Sequence, residues 1–96
     1  MALLEPIHPG EVLAEEFMAP RQLTANALAL ALRVPANRIS DIVRKKRGIT
    51  AETALRLGRY FDTAPAFWIN LQSNYDLEVA KDKVGYQIER EVSVAS

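Results

Sequence analysis

Cysteine is absent from this 96-residue chain, and histidine occurs once, as His8. Without cysteine the chain can form no disulfide, no thiolate zinc site and no cysteine nucleophile. A single histidine with no second ligand beside it makes a poor metal site and a poor catalytic base. We therefore expect His8 to cap a helix or to pack in the core. The sequence also has no glycine-rich phosphate loop, so we predict no metal, no cofactor and no enzymatic activity.

Long apolar runs are also missing, since none approaches the roughly 18 residues that a membrane-spanning helix needs. The first twenty residues contain four Glu and no Lys or Arg, the reverse of the basic start of a secretory signal. We therefore expect a cytoplasmic protein with no membrane partner. A chain of this length, 49% apolar, is expected to form one domain over residues 1–96 with a single core.

Net charge is zero, but the charges are unevenly distributed along the chain. Residues 1–32 hold one basic and four acidic residues, residues 33–47 hold six basic and one acidic, and residues 48–96 hold five basic and seven acidic. Screening limits each charge to a reach of about 8 Å at physiological salt, so this local excess matters more than the total. The basic segment fits either a nucleic-acid surface or a solvated helix C-terminus, where Lys and Arg are favoured.

Two short helices joined by a turn are predicted over residues 24–47, TANALALALRVPANRISDIVRKKR. Thr24 is a good N-cap for the first helix. Arg33 occupies the turn, where a left-handed backbone is commonly required, and Pro35 suits the first position of the second helix. Apolar residues recur at helical spacing on one side of each helix: Leu28, Ala29 and Leu32, then Ile39, Ile42 and Val43. This pattern is typical of a helix-turn-helix whose second helix enters the DNA major groove.

Further helices are predicted on either side of this pair. Pro9 starts a first helix that Pro20 ends, Thr50 caps a fourth, and Pro65 starts a fifth. The fifth carries an aromatic and apolar stripe, which we expect to be core: Phe67, Trp68, Leu71 and Tyr75. Residues 84–96 stay ambiguous between a strand, because Tyr86, Ile88, Val92 and Val94 alternate, a helix over EREV, and a frayed end.

Three segments carry a resemblance to a known family: IHPGEVLAEEFM, RISDIVRKKRGITAETALRLGRYF and TAPAFWINLQSNYDLEVA. The chain resembles the Cro/repressor (XRE-type) helix-turn-helix proteins and, more specifically, HigA-type antitoxins of bacterial toxin–antitoxin modules. The resemblance implies an all-α, compact five-helix domain of the lambda-repressor-like kind that acts as a homodimer. It also implies binding and neutralisation of a HigB-type mRNA-cleaving ribonuclease toxin. A further implied role is repression of the module's own operon through a palindromic double-stranded operator DNA.

The chain departs from the wider repressor pattern at two positions. Ala25 stands where many members carry a Gln that contacts the DNA backbone, and Arg33 replaces the usual turn glycine. The contact scheme of the family therefore does not transfer unchanged.

The residue types on the second helix suggest specific DNA contacts. Asn can bond adenine and Arg can bond guanine in the major groove, so Asn37 and Arg38 are the expected base contacts, with Ser40 and Asp41 one turn on. We expect Asp41 to pair with Arg38 or Lys45 along the helix. The expected phosphate contacts are Thr24, Asn26, Arg33, Arg44, Lys45, Lys46 and Arg47. For Arg33, simple exposure to solvent is an equal alternative.

The toxin-binding surface is less readable from the sequence. The acidic first helix, with Glu11, Glu15 and Glu16, is either a surface complementary to a basic ribonuclease or a solvated helix face. Three other functions compete with the antitoxin hypothesis: a stand-alone repressor without a toxin, an enzyme, and an adaptor that binds only proteins.

Overall fold

The computed structural model describes residues 5–95, and all its regular structure in that range is helical, with no β-strand. The helix-turn-helix is formed by α2 (Ala25–Leu32) and α3 (Ala36–Val43). It follows α1 (Pro9–Val12), which continues without a break as a π-helical segment, Leu13–Met18, and a 3-10 turn, Ala19–Arg21. It precedes α4 (Ala51–Phe61) and α5 (Pro65–Ala80). The last helix runs on through a π-helical segment, Lys81–Gly85, into α6 (Tyr86–Glu91).

The helix starts agree with the capping residues in the sequence. The His8 ring accepts a hydrogen bond from the Gly10 N–H, the Thr24 hydroxyl from that of Ala27 and the Thr50 hydroxyl from that of Thr53. Each oxygen or ring nitrogen satisfies a donor that has no partner within its helix. Two proline predictions need correction. Pro35 is the residue before α3 and not its first residue. The first helical stretch continues past Pro20 to Arg21, because the closing bond from the Gln22 N–H to the Ala19 carbonyl needs no donor from proline.

A single core lies among the helices of residues 5–80. Its fully buried large side chains come from every helix of that range and include Trp68 of α5, together with Leu13, Leu28, Ile39, Ile42 and Leu57. The aromatic stripe of α5 is therefore only partly core. Trp68 is fully buried, whereas its neighbour Phe67 is 39% exposed.

The C-terminal helix extends beyond this core. All residues from Tyr86 to Ala95 are exposed, and the molecule measures 51 × 27 × 20 Å. The strand alternative for residues 84–96 is wrong, since Tyr86 and Ile88 lie in α6; Ser96 lies outside the described residues. Within residues 5–95, no helix is both long and apolar enough to cross a membrane.

Candidate nucleic-acid interface

The two helices of the helix-turn-helix are locked by a left-handed turn at Arg33. Its backbone has φ 61° and ψ 45°, and the N–H groups of Arg33 and Val34 close the end of α2 on the carbonyls of Leu30 and Ala29. A non-glycine residue in this conformation costs about 1 kcal/mol. Burial of apolar side chains from both helices offsets that cost. The buried residues are Leu28, Leu32, Ile39 and Ile42.

One face of α3 is left free by this packing, and it presents the polar side chains that the sequence singles out. Asn37 is exposed near the start of the helix, and the Ser40 hydroxyl donates to the Asn37 carbonyl at 3.3 Å. Arg38 and Asp41 lie on the same exposed side, with side chains that are 24% and 30% exposed. Asn37 and Asp41 therefore lie on the same side of α3, and Arg38 and Ser40 flank them.

Hydrogen bonds link Arg38 of α3 to α4 and, through Arg56, to the end of α2. The Arg38 guanidinium donates to one oxygen of Glu52 at 3.1 Å, and Arg56 donates to the other oxygen at 3.1 Å. Arg56 also donates to the Leu32 carbonyl at the end of α2, at 2.9 Å. These bonds from Arg56 and then Arg38 lower the pKa of the Glu52 carboxyl. The network orients Arg38 relative to α4 and α2.

The basic residues at positions 44–47 lie in a loop and not in the last turn of α3. The helix ends at Val43, and Lys45 takes a left-handed backbone with φ 66°. That turn places the Lys45 ammonium 3.4 Å from Glu11 of α1, and it brings Arg47 back to within 3.6 Å of Asp41. Asp41 therefore pairs with Arg47, and the expected pairing with Arg38 or Lys45 is wrong.

Several predicted phosphate-contacting side chains are unpaired. Arg33, Arg44 and Lys46 are exposed, and among residues 5–95 none has a carboxylate within 4 Å. Arg44 and Lys46 lie beside α3, whereas Arg33 lies at the far end of α2 from Thr24 and Asn26. An eight-residue helix is about 12 Å long, so the structure does not bring Arg33 together with those two. The Thr24 hydroxyl is engaged in capping, and Asn26 is exposed.

Gln72 and Asp76 hold the basic loop in place, and the sequence did not predict this role for either residue. The Gln72 side-chain oxygen accepts the Ile49 N–H at 2.7 Å, and Asp76 fixes the orientation of that amide. Gly48 packs against the same amide, with no room for a Cβ. On the other side, Gly10 of α1 lies against the Ile42 carbonyl. The four-residue spacings of Glu52 with Arg56 and of Gln72 with Asp76 are the signals in the sequence that indicate these pairs, because residues four apart are neighbours on a helix.

The His8 ring is buried and makes an edge-to-face contact with Tyr75, with ring centroids 4.8 Å apart. Burial lowers the pKa of His8, the positive charge of Lys45 lowers it further, and Asp76 acts in the opposite direction. The expected role of His8 as a cap and packing residue is confirmed. Within residues 5–95 no group of three or more acidic, histidine or cysteine side chains is placed to hold a metal ion.

Proteins of several bacteria are similar to this chain in sequence or in structure. No protein-family model matches the chain. Virulence-associated protein I of Dichelobacter nodosus is 56% identical over 75 residues, which cover 78% of the chain and 69% of that protein. Antitoxin HigA-1 of Vibrio cholerae is 36% identical over 72 residues, covering 75% of the chain and 68% of the relative. A solved structure of the Pseudomonas aeruginosa antitoxin HigA with the higBA promoter is 52% identical, with a TM-score of 0.93 over 95% of this chain and 99% of that one.

Proposed function

The chain belongs to the HigA-type antitoxins of the XRE helix-turn-helix family, and on this premise we propose that it represses its own toxin–antitoxin operon and neutralises a HigB-type ribonuclease. The observation that carries the proposal is the polar face of α3, flanked by the unpaired cations Arg44 and Lys46. A relative of 52% identity was solved with promoter DNA. The proposed role is that of a binding protein and not of an enzyme, and it places the chain in the bacterial cytoplasm.

Base recognition is assigned to the exposed face of α3. Asn37 is placed to bond adenine and Arg38 to bond guanine, and each such pair contributes about 1–3 kcal/mol of discrimination. Arg38 is already oriented by Glu52 at 3.1 Å, which reduces the entropy lost when its guanidinium binds a base. Ser40 and Asp41 lie one turn further along the same face.

Phosphate contacts are assigned to the ends of the helices and to the basic loop. Arg44 and Lys46 are free to bind phosphates directly, whereas Lys45 and Arg47 must exchange Glu11 and Asp41 for phosphate oxygens. The side chains of both ion pairs are each at least 30% exposed. Water and salt therefore weaken the pairs, and a phosphate can replace either carboxylate at little cost. Thr24, Asn26 and Arg33 complete the proposed set at the two ends of α2.

A second copy of the chain is the proposed partner of the projecting C-terminal helix. Leu77 and Ile88 line one groove there and are 60% and 49% exposed, and Val84, which is 39% exposed, lies between them in the chain. A monomer rarely leaves such an apolar row in water. A two-fold dimer would place its two α3 helices about 34 Å apart, one DNA turn, and so requires a palindromic operator.

The first test is a titration of the purified protein against its own upstream DNA and a scrambled duplex at several salt concentrations. We expect a preference of at least about 10³ for the upstream DNA and a steep loss of affinity with salt. Arg38→Ala should lose about 1–3 kcal/mol on operators with the correct base pair and little on others, whereas Lys46→Ala should weaken all sequences and lower the salt slope by about 1.

Equal, weak binding to both duplexes would contradict the repressor role. If Arg38→Ala weakened every sequence equally, the base contact assigned to Arg38 would be wrong. The toxin partner is tested separately, by asking whether the chain restores growth to cells that express the product of the adjacent gene. Specific DNA binding with no such rescue would leave a stand-alone repressor.

A further inference from the structure

A shallow apolar groove lies between the N-terminal segment, α1 and α5, on a different part of the surface from α3. Its volume is about 280 Å³, and its lining includes Ile7, Val12, Leu71 and Tyr75. Ile7 is 60% exposed at the edge of this groove, while the other three side chains are partly buried. The groove is therefore an apolar surface that is partly open to solvent, and an apolar side chain of a partner could cover it.

Acidic residues lie in the lining of this groove and next to the lining residues in the sequence. Glu78 lines it directly, Glu5 lies one residue before Pro6 of the lining, and Glu15 lies three residues after Val12 on the first helix. Lys81 is 3.7 Å from Glu78, but both side chains are more than half exposed. Water and salt therefore weaken this ion pair, and Glu78 can exchange Lys81 for a cation of the partner. An apolar floor with an acidic rim fits a partner that presents an apolar side chain beside Lys or Arg.

We propose that this groove, defined by Ile7, Val12, Leu71, Tyr75 and Glu78, is the surface that receives the toxin, an inference that rests on the proposed antitoxin function. A ribonuclease binds a polyanion and therefore carries cationic surface. The acidic rim complements that surface, and the exposed Ile7 supplies the apolar contact that charge alone does not give. The docking surface is thus formed by α1 and α5 and leaves the outer face of α3 uncovered.

Two other grooves on the described part of the molecule fit this partner less well. The groove between α2 and α4 is lined by Arg56 and Arg59 together with Leu55 and Tyr60, so its charge has the same sign as that of a basic ribonuclease. The groove on the C-terminal helix contains Leu77 and Ile88, which are assigned to the second copy of the chain. Of these three grooves, the one beside Ile7 combines exposed apolar surface with acidic charge, and it has no other assigned partner.

The experiment is calorimetric titration of the full-length antitoxin with the purified product of the adjacent gene, using two matched pairs of variants. Ile7→Ser is compared with Leu55→Ser, because Leu55 is equally exposed at 61% but lies in the groove between α2 and α4. Glu78→Lys is compared with Asp62→Lys, which makes the same charge change at the end of α4. Asp62 has a left-handed backbone, which a lysine also adopts at position 45.

We expect Ile7→Ser and Glu78→Lys each to weaken toxin binding about tenfold or more and the two controls to change it less than twofold. Operator affinity and unfolding midpoint should match the wild type in all four variants.

If the wild type binds the toxin and both groove variants bind it equally well, the docking surface is wrong while the antitoxin function stands. If the wild type does not bind the toxin at all, the proposed function itself fails. A change of oligomeric state in Ile7→Ser would instead make the groove an interface between copies of the chain and overturn the proposal.

Discussion

Arg38 shows how a residue can be held in position and still remain available to a ligand. Its partner Glu52 has a side chain that is 59% exposed, and exposed ion pairs contribute little to stability because water and salt compete with them. Only one Arg38 N–H group donates to Glu52, so the other donors of the guanidinium stay available to a base. Lys45 and Arg47 are held in the same way by Glu11 and Asp41. The proposed interface is thus partly assembled before DNA arrives.

His8 makes a pH-dependent contribution to stability that can be measured. Burial and Lys45 hold its pKa below the value of 6.5 that the unfolded chain has, so the unfolded state binds the proton more readily. Stability from this residue is therefore complete above pH 6.5 and is lost as the pH falls from there through the folded-state pKa. Protonation of the ring nitrogen that accepts the Gly10 N–H also breaks that bond.

We expect His8→Asn to reduce this pH dependence. Asparagine can accept the same N–H, so the variant should lose mainly the contact with Tyr75, about 1 kcal/mol. Urea unfolding at pH 7.5 and pH 5.5 checks the prediction. The loss of stability between the two pH values should be smaller in the variant, and an equal loss in both proteins would assign the pH dependence to other groups.

At the scale of the helices, the close approach of α1 to α3 depends on a glycine. A Cβ at Gly10 would lie 1.9 Å from the Ile42 carbonyl oxygen, a backbone atom that cannot move without shifting α3. We expect Gly10→Ala to destabilise the protein by about 3 kcal/mol. Gly85→Ala is the matched control, because its Cβ would meet only Lys81 at 3.7 Å, and it should stabilise the helix by about 0.5–1 kcal/mol. Unfolding by urea measures both, and wild-type stability in Gly10→Ala would contradict the close contact.

The helices themselves were largely predictable from the sequence, and the tertiary contacts were not. Helix starts are indicated by the N-capping residues Thr24 and Thr50 and by Pro65 in the first turn of α5. The spacing of apolar residues in α2 and α3 identifies their buried faces. The left-handed turn at Lys45 has no such local signal, since neither glycine nor asparagine marks it. The loop and its pairs with Glu11 and Asp41 were therefore missed. Contacts such as those of Gln72 with Ile49 join residues far apart in the chain, which periodicity cannot detect.

At the scale of the whole molecule, the projecting helix makes the protein elongated. Its exposed row, Leu77, Val84 and Ile88, is the proposed contact with a second copy. The double variant Leu77→Glu and Ile88→Glu should be monomeric in sedimentation and should keep its helical circular dichroism. Its operator affinity should fall about 100-fold or more, because two linked recognition helices bind far more tightly than one.

Tyr86→Glu provides the control for this prediction. Tyr86 is 74% exposed but lies two residues before Ile88, on the other side of the helix, so this variant should remain dimeric. A dimeric double variant would place the interface elsewhere on the molecule.

The eight residues of α3 divide into two groups with separate duties. Ile39 and Ile42 are fully buried and determine how the helix sits in the fold, whereas Asn37 and Arg38 lie outside the core and are the residues proposed to read the operator. Because the two groups share no position, substitutions that alter the preferred operator leave the core unchanged. A duplicated gene could thus acquire a new binding site in a few steps without passing through an unfolded intermediate. Closely related modules within one bacterium could in this way become insulated from each other while keeping the same scaffold.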